Sequence, residues 1–170
     1  MSLVNNATQI EDYGQFCYLF AGCTNIADAS KLHMNATRLL SGCYAFMFSG
    51  CTSLVTPPPE LRGSNVRASS FRGMFQSCTS LRTSPHIRSG YANENYSMNS
   101  MFYGCSSLTS IWIDLLSWPN ENYHYYALYS WTYGLPAKGV FYKPSGLSTI
   151  YNSVNNCYNH IPDGWTVIDT

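Results

Sequence analysis

A repeat solenoid of short strands and short helices is the fold class the sequence predicts, and two observations carry it. The stretch "FSGCTSL" at 48–54 returns as "FQSCTSL" at 75–81 and "FYGCSSL" at 102–108, with a weaker copy, "FAGCTNI", at 20–26. Aligned on Cys23, Cys51, Cys78 and Cys105, the copies stand 28, 27 and 27 residues apart. A fixed period of about 20–29 residues with recurring leucine positions is the signature of a leucine-rich-repeat solenoid. One such unit cannot bury its apolar face alone, so about four to five stacked rungs, closed by a C-terminal β cap, are expected to share a core.

Three segments follow along the chain. Residues 1–14 form an N-terminal lead-in, 15–135 carry the repeats, and 136–170 form a capping segment. Within a unit, the runs before each cysteine are aromatic and Met-rich: "CYAFMF" (43–48), "SFRGMF" (70–75) and "SMNSMF" (97–102). Phe71 with Phe75, and Met98 with Phe102, are four apart, which predicts one or two helical turns with a buried face. After the cysteine the chain reads as extended. Pro57, Pro58, Pro59 and Pro85 forbid helix there and allow only edge-like or poorly paired strand positions. One more period from Leu108 lands on Leu135, with Thr132 at the cysteine position. Phe, Cys and Leu then recur because each is an inward rung of one ladder. "GVFYK" and "WTVID" are strand-like runs separated by Pro144, Gly146, Pro162 and Gly164. Val140 to Lys143 should continue the sheet, and a buried Trp165, with Val167 and Ile168, should return against it.

The 170 residues suit one domain, and 9 basic residues balance 9 acidic ones. With no basic stripe, nucleic acid and anionic membranes are poor partners. Only 11% of residues are charged while 15% are aromatic, 14 of them tyrosine, a balance suited to extracellular modules. No apolar run reaches the roughly 18 residues of a membrane span, so no membrane insertion is expected. The start of the chain lacks the basic and apolar regions of a secretory signal.

The pattern "CYxxMFxGCTSL", followed by a Pro-containing stretch, resembles the BspA-like leucine-rich-repeat proteins on the surface of gut and oral anaerobic bacteria. The likeness is closest at 43–61, good at 71–81 and 101–108, and supported by "SWTYGL", "GVFYKPSGL" and "IPDGWTVID"; it covers about 15–170. It departs at "SNVR" (64–67) and "ANEN" (92–95), and where Trp112 and Trp118 replace a Pro-rich strand. The resemblance implies an extracellular or cell-surface location, adhesion or ligand binding, and no active site. It says nothing of a cofactor, and none is expected.

The seven cysteines do not read as chemistry. Four register thiols in a line at ~4.8 Å spacing cannot wrap a zinc ion, and their parallel Cβ vectors do not suit disulfides. They read as buried free thiols acting as small apolar side chains. Cys157 and His160 are three apart but lack an orienting third group and an oxyanion site, so the chain is not expected to be an enzyme.

One compositional oddity remains. "YANENYSMNSMFY" (91–103) and "NENYHYYALYSWTY" (120–133) combine tyrosine with small polar residues, the chemistry of recognition surfaces. Tyr91, Tyr96, Tyr123, Tyr125 and Tyr126 are the candidate ligand-binding residues, with Tyr96 and Tyr123 side by side in the repeat register. The expected function is a non-enzymatic binding or adhesion module for a protein or glycan ligand, as a monomer or within a longer chain. The alternative is a spacer segment of a larger surface or virion protein.

Overall fold

The computed structural model describes residues 10–119, 126–150 and 160–170. Five strands, β1 (Glu60–Asn65), β2 (Thr83–Tyr91), β3 (Ser110–Ile113), β4 (Val140–Lys143) and β5 (Thr166–Asp169), pair in sequence order into one parallel sheet. Isolated parallel bridges between Asp28 and Thr56, and between Met34 and Leu61, extend the same pairing toward the N-terminus. The chain is a parallel β-solenoid of about four turns.

The expected short helices are absent: among the described residues no segment is helical. The runs at 43–48, 70–75 and 97–102 are instead ribbons of overlapping turns. In the second rung, the amides of Cys43, Ala45, Met47, Ser49 and Cys51 each bond the carbonyl three residues back. The alternate amides of Gly42, Tyr44, Phe46, Phe48 and Gly50 bond carbonyls of the next rung at 2.8–3.1 Å. An α-helix sends every amide to the carbonyl four residues back. This ribbon sends half of them sideways, which converts a local turn into a stacking edge.

The backbone signature of the ribbon is a positive φ at every fourth residue. Gly14, Tyr18 and Gly22 begin the series, followed by Gly42, Phe46 and Gly50, then Ser69, Gly73 and Ser77. Tyr96, Ser100 and Gly104, then Tyr126, Ser130 and Gly134, complete it. Among the described residues with positive φ, only Gly164 lies outside this pattern. Each second turn, such as Phe48 to Cys51, places that residue third, where a type II turn requires positive φ.

Spacing of four also sets what is buried. Adjacent pairs point inward: Tyr44, Met47 and Phe48; Phe71, Met74 and Phe75; Met98, Met101 and Phe102. The phenylalanines form a column with ring centroids 5.3 Å apart from Phe20 to Phe48, 5.4 Å to Phe75 and 5.7 Å to Phe102. Such offset pairs contribute about 0.5–1.5 kcal/mol each beyond their burial. Leu54, Leu81 and Leu108 are fully buried on the strand side of the same core.

Two features of the sheet follow from proline and from chain length. Pro85 lies inside β2, which is paired on both sides, at the point where the register shifts between Thr83 and His86. There the Ser84 hydroxyl oxygen accepts the Trp112 amide at 3.0 Å, bridging the ladder where the strand bulges. Between the fourth and fifth rungs the step lengthens: Trp112 pairs with Tyr142, and Gly104 meets Gly134. Leu135, not Thr132, therefore occupies the cysteine register, and Thr132 follows Phe102.

The last strands lie where the sequence predicts. β4 and β5 pair in register from Val140–Thr166 to Lys143–Asp169. Trp165 is buried over Gly139, where a Cβ would strike its indole, and its Nε1 donates to Pro136 O at 2.9 Å. Lys143 continues the inward row of Ile87 and Ile113, yet it is a charge at 2% exposure. It donates to Leu147 O and to Asp169 Oδ1, both at 2.6 Å, so the apolar column ends on an ion pair. A buried ammonium needs such partners.

The positive-φ register is testable at two aligned positions. Gly104→Ala has room for its methyl but not the right φ, and should destabilise by about 1–2 kcal/mol. Ser77→Gly, one rung earlier, relieves the same strain and should stabilise by about 0.5 kcal/mol after glycine's greater unfolded-state freedom is counted. Urea unfolding of both variants reads the opposite signs.

Candidate functional site

The turn ribbon brings two of the predicted tyrosines together. Tyr96 stacks on Tyr126 with centroids 5.6 Å apart, and Tyr129 meets Tyr126 edge-on at 5.1 Å. The partner of Tyr96 is thus Tyr126 rather than Tyr123, because the step between these rungs is longer than 27 residues. Tyr123 and Tyr125 lie outside the described residues. Tyr91 is exposed at the end of β2, where it lines a separate hollow with Asn65, Val66, Asn93 and Glu94.

Arg72 completes this surface. Its guanidinium sits 5.0 Å from the Tyr96 ring centroid and 5.6 Å from that of Phe46. Gly73 makes this possible, since any Cβ there would collide with the Phe46 ring. Arg72 has no hydrogen-bond acceptor or carboxylate partner among the described residues. Arg72, Tyr96, Asn99, Ser100, Tyr126 and Tyr129 line an open cleft of about 340 Å³. Stacking holds the guanidinium in place while its N–H fork stays available to an anion.

The backbone beneath the tyrosines is strained. Tyr96 and Tyr126 have φ of 58° and 62°, in a register where the first two rungs hold Gly14 and Gly42. A side chain there costs about 1–2 kcal/mol.

A second aromatic row lies on the outer sheet face, and sequence reasoning missed it. Register places His86, Trp112 and Tyr142 side by side, with centroids 4.7 and 5.0 Å apart. Trp112 is 41% exposed. The rings cover one another's faces, so the row offers edges rather than flat platforms. Beside it His86 Nε2 lies 2.9 Å from Asp114 Oδ2, without a hydrogen bond between them. Arg88 Nε donates to His86 Nδ1 at 3.3 Å and lies 3.5 Å from Glu60. This charge cluster is largely self-satisfied. The signal available in sequence was position alone: His86, Trp112 and Tyr142 each alternate with buried residues.

Three of the four register thiols form the expected buried ladder, and the first, Cys23, does not. Cys51, Cys78 and Cys105 are fully buried, and each S–H donates to a phenylalanine carbonyl of the preceding rung: Phe20, Phe48 and Phe75, at 3.0, 3.0 and 2.9 Å. Cys43 is also buried; Cys23, in the first rung, is exposed. All described cysteines are free thiols, and Cys157 lies outside the described residues. Desolvation by burial raises Cys78, pushes Cys105 up to about 12 and Cys43 to about 11. Among the described residues no group of three His, Cys, Asp or Glu converges for a metal ion, and no helix is long and apolar enough to cross a membrane.

Comparison with protein families, with curated proteins and with solved structures finds no match for the chain.

Two predictions follow from the thiol ladder. The buried Cys43 and Cys105 thiols titrate above their ordinary value of 9.0, so their contribution to stability is whole below pH 9 and is lost as pH rises through about 11 for Cys43 and about 12 for Cys105. Unfolding free energy measured from pH 8 to 11 should fall, and the Cys105→Ala variant should fall less. The second concerns position 78, where the thiol's acceptor would also serve a hydroxyl. With Phe48 O in reach, Cys78→Ser should cost about 1 kcal/mol rather than more, by urea unfolding.

Proposed function

We propose that the chain is a non-catalytic binding or adhesion module that recognises its ligand at the Arg72–Tyr96–Tyr126 cleft. The observation that carries this reading is a pair of stacked tyrosines beside an arginine with no acceptor among the described residues. The positive φ beneath the tyrosines recurs in every rung and belongs to the ribbon, so the support comes from the rings and the open N–H fork. The ligand is a protein or glycan bearing an anionic group, which the guanidinium meets with two parallel N–H bonds while the tyrosine edges line its flanks.

The repeat sequence supports kinship with BspA-like leucine-rich-repeat surface proteins, and with it an extracellular or cell-surface location. The likeness rests on "CYAFMFSGCTSL" and the closing "IPDGWTVID". A spacer role predicts instead that the cleft is inert.

Glycan and protein arrays carrying acidic ligands test the reading. The chain should bind a subset of them, and Arg72→Ala or Tyr126→Ala should each weaken binding at least about tenfold with thermal unfolding little changed, since neither side chain is core. Absence of binding, or binding indifferent to both substitutions, contradicts the cleft assignment.

A further inference from the structure

Tyr91 is an exposed ring that no other ring covers. Tyr18 stacks on Phe46, Tyr103 on Tyr133 and Trp112 on Tyr142, with centroids 5.0–5.1 Å apart, so each of these has a face hidden. No ring or cation stacks on Tyr91 among the described residues, and it is 42% exposed. Its backbone is held firmly: the Tyr91 carbonyl accepts the Val66 amide at 2.8 Å and the Ser89 hydroxyl at 3.2 Å. The ring therefore stands on the end of β2 as a fixed platform.

Asn65, Val66, Asn93 and Glu94 join Tyr91 around an open hollow of about 310 Å³. Register pairs Asn65 with Tyr91, which sets the amide beside the ring on one sheet face. The Glu94 carboxylate is already engaged: it lies 2.6 Å from Arg67 Nη1 and accepts the Ala68 amide at 2.8 Å. The wall is thus charge-balanced, and its remaining polar side chains are two neutral amides. Neither the Asn65 nor the Asn93 side chain makes a hydrogen bond among the described residues. Asn93 Oδ1 is shielded from solvent without a donor, which costs free energy. A half-turn of that amide, about a soft terminal torsion, presents the oxygen to the hollow.

We propose that this hollow binds a neutral pyranose unit, at a site separate from the Arg72 cleft. The C–H face of the sugar lies on the open face of Tyr91, and its hydroxyls pair with Asn93 Oδ1 and the Asn65 amide. An asparagine amide both donates and accepts, as a sugar hydroxyl does, so neighbouring hydroxyls satisfy both side chains. The other ligand classes fit less well. An anion meets no free cation in this hollow, and a cation finds the one carboxylate taken by Arg67. A purely apolar ligand leaves Asn93 Oδ1 without a donor.

The test is an NMR titration of the isotope-labelled protein with the methyl glycosides of glucose, galactose, mannose and N-acetylglucosamine. At least one should shift the Tyr91 ring and the Asn93 side-chain amide saturably, with a Kd of about 1–10 mM, the range open to a single small ring. Tyr91→Phe keeps the flat face and should bind within about twofold of the parent. Tyr91→Leu and Asn93→Leu should each weaken binding at least about tenfold, with backbone shifts in β3 and β4 unchanged. Arg72→Ala should leave the titration as it is. No saturable shift from any of the four glycosides overturns the proposal. Equal binding by Tyr91→Leu, or loss of binding in Arg72→Ala, overturns it as well. Recognition of acidic ligands at Arg72 is read without these neutral glycosides, so the two proposals fail separately.

Discussion

The structure depends on one constraint: every second amide of each turn ribbon must find a carbonyl on the neighbouring rung. Parallel rungs can satisfy it only at sheet-like spacing, ~4.8 Å, and only if the ribbon stays flat enough for alternate N–H groups to leave on one side. Positive φ at every fourth residue keeps it flat. Eight of these positions are not glycine, and each such residue adds about 1–2 kcal/mol of strain. The cross-rung hydrogen bonds, each worth roughly 0.5–1.5 kcal/mol net, and the stacked rings offset that strain collectively. No rung is stable alone, because half of its amides have no partner within it.

This constraint explains which parts of the fold are readable in the sequence. The period, the Phe–Cys–Leu ladder and the two C-terminal strands are legible because each buried residue repeats at the same place in every rung. The turn ribbon is not, because Phe71 with Phe75, and Met98 with Phe102, satisfy helical and four-residue spacing alike. Over eight residues the two periods differ in phase by only about 80°, too little for so short a run to separate. The distinguishing signal was the glycine before the cysteine in three copies, Gly22, Gly50 and Gly104, together with Gly42 and Gly73. Glycines spaced eight apart in a run of helical appearance mark positive φ rather than a helix end.

The surface is partly legible for the same reason. Tyr96 and Tyr126 stand out by composition, but their pairing depends on three residues inserted between rungs, and Arg72 is invisible without the third dimension. His86, Trp112 and Tyr142 come from three different local contexts and meet only because β2, β3 and β4 share a register. Aromatic rows on a solenoid are intrinsically ambiguous: stacking neighbours cover each other's faces. What separates the Tyr96–Tyr126 pair from the sheet-face row is that its cation stacks on rings and has no acceptor among the described residues. The sheet-face charges, by contrast, close on one another.

The account turns on hydrogen bonds that leave the ribbon, and these are observable directly. Scalar couplings across hydrogen bonds in a labelled sample identify donor and acceptor residues individually. The structure requires coupling from the Phe75 amide nitrogen to the Met101 carbonyl and from Phe48 to Met74, matching bonds of 2.9 Å in each case. Coupling from Phe75 to the carbonyl of Phe71, four residues back, would instead show a helix and contradict the account.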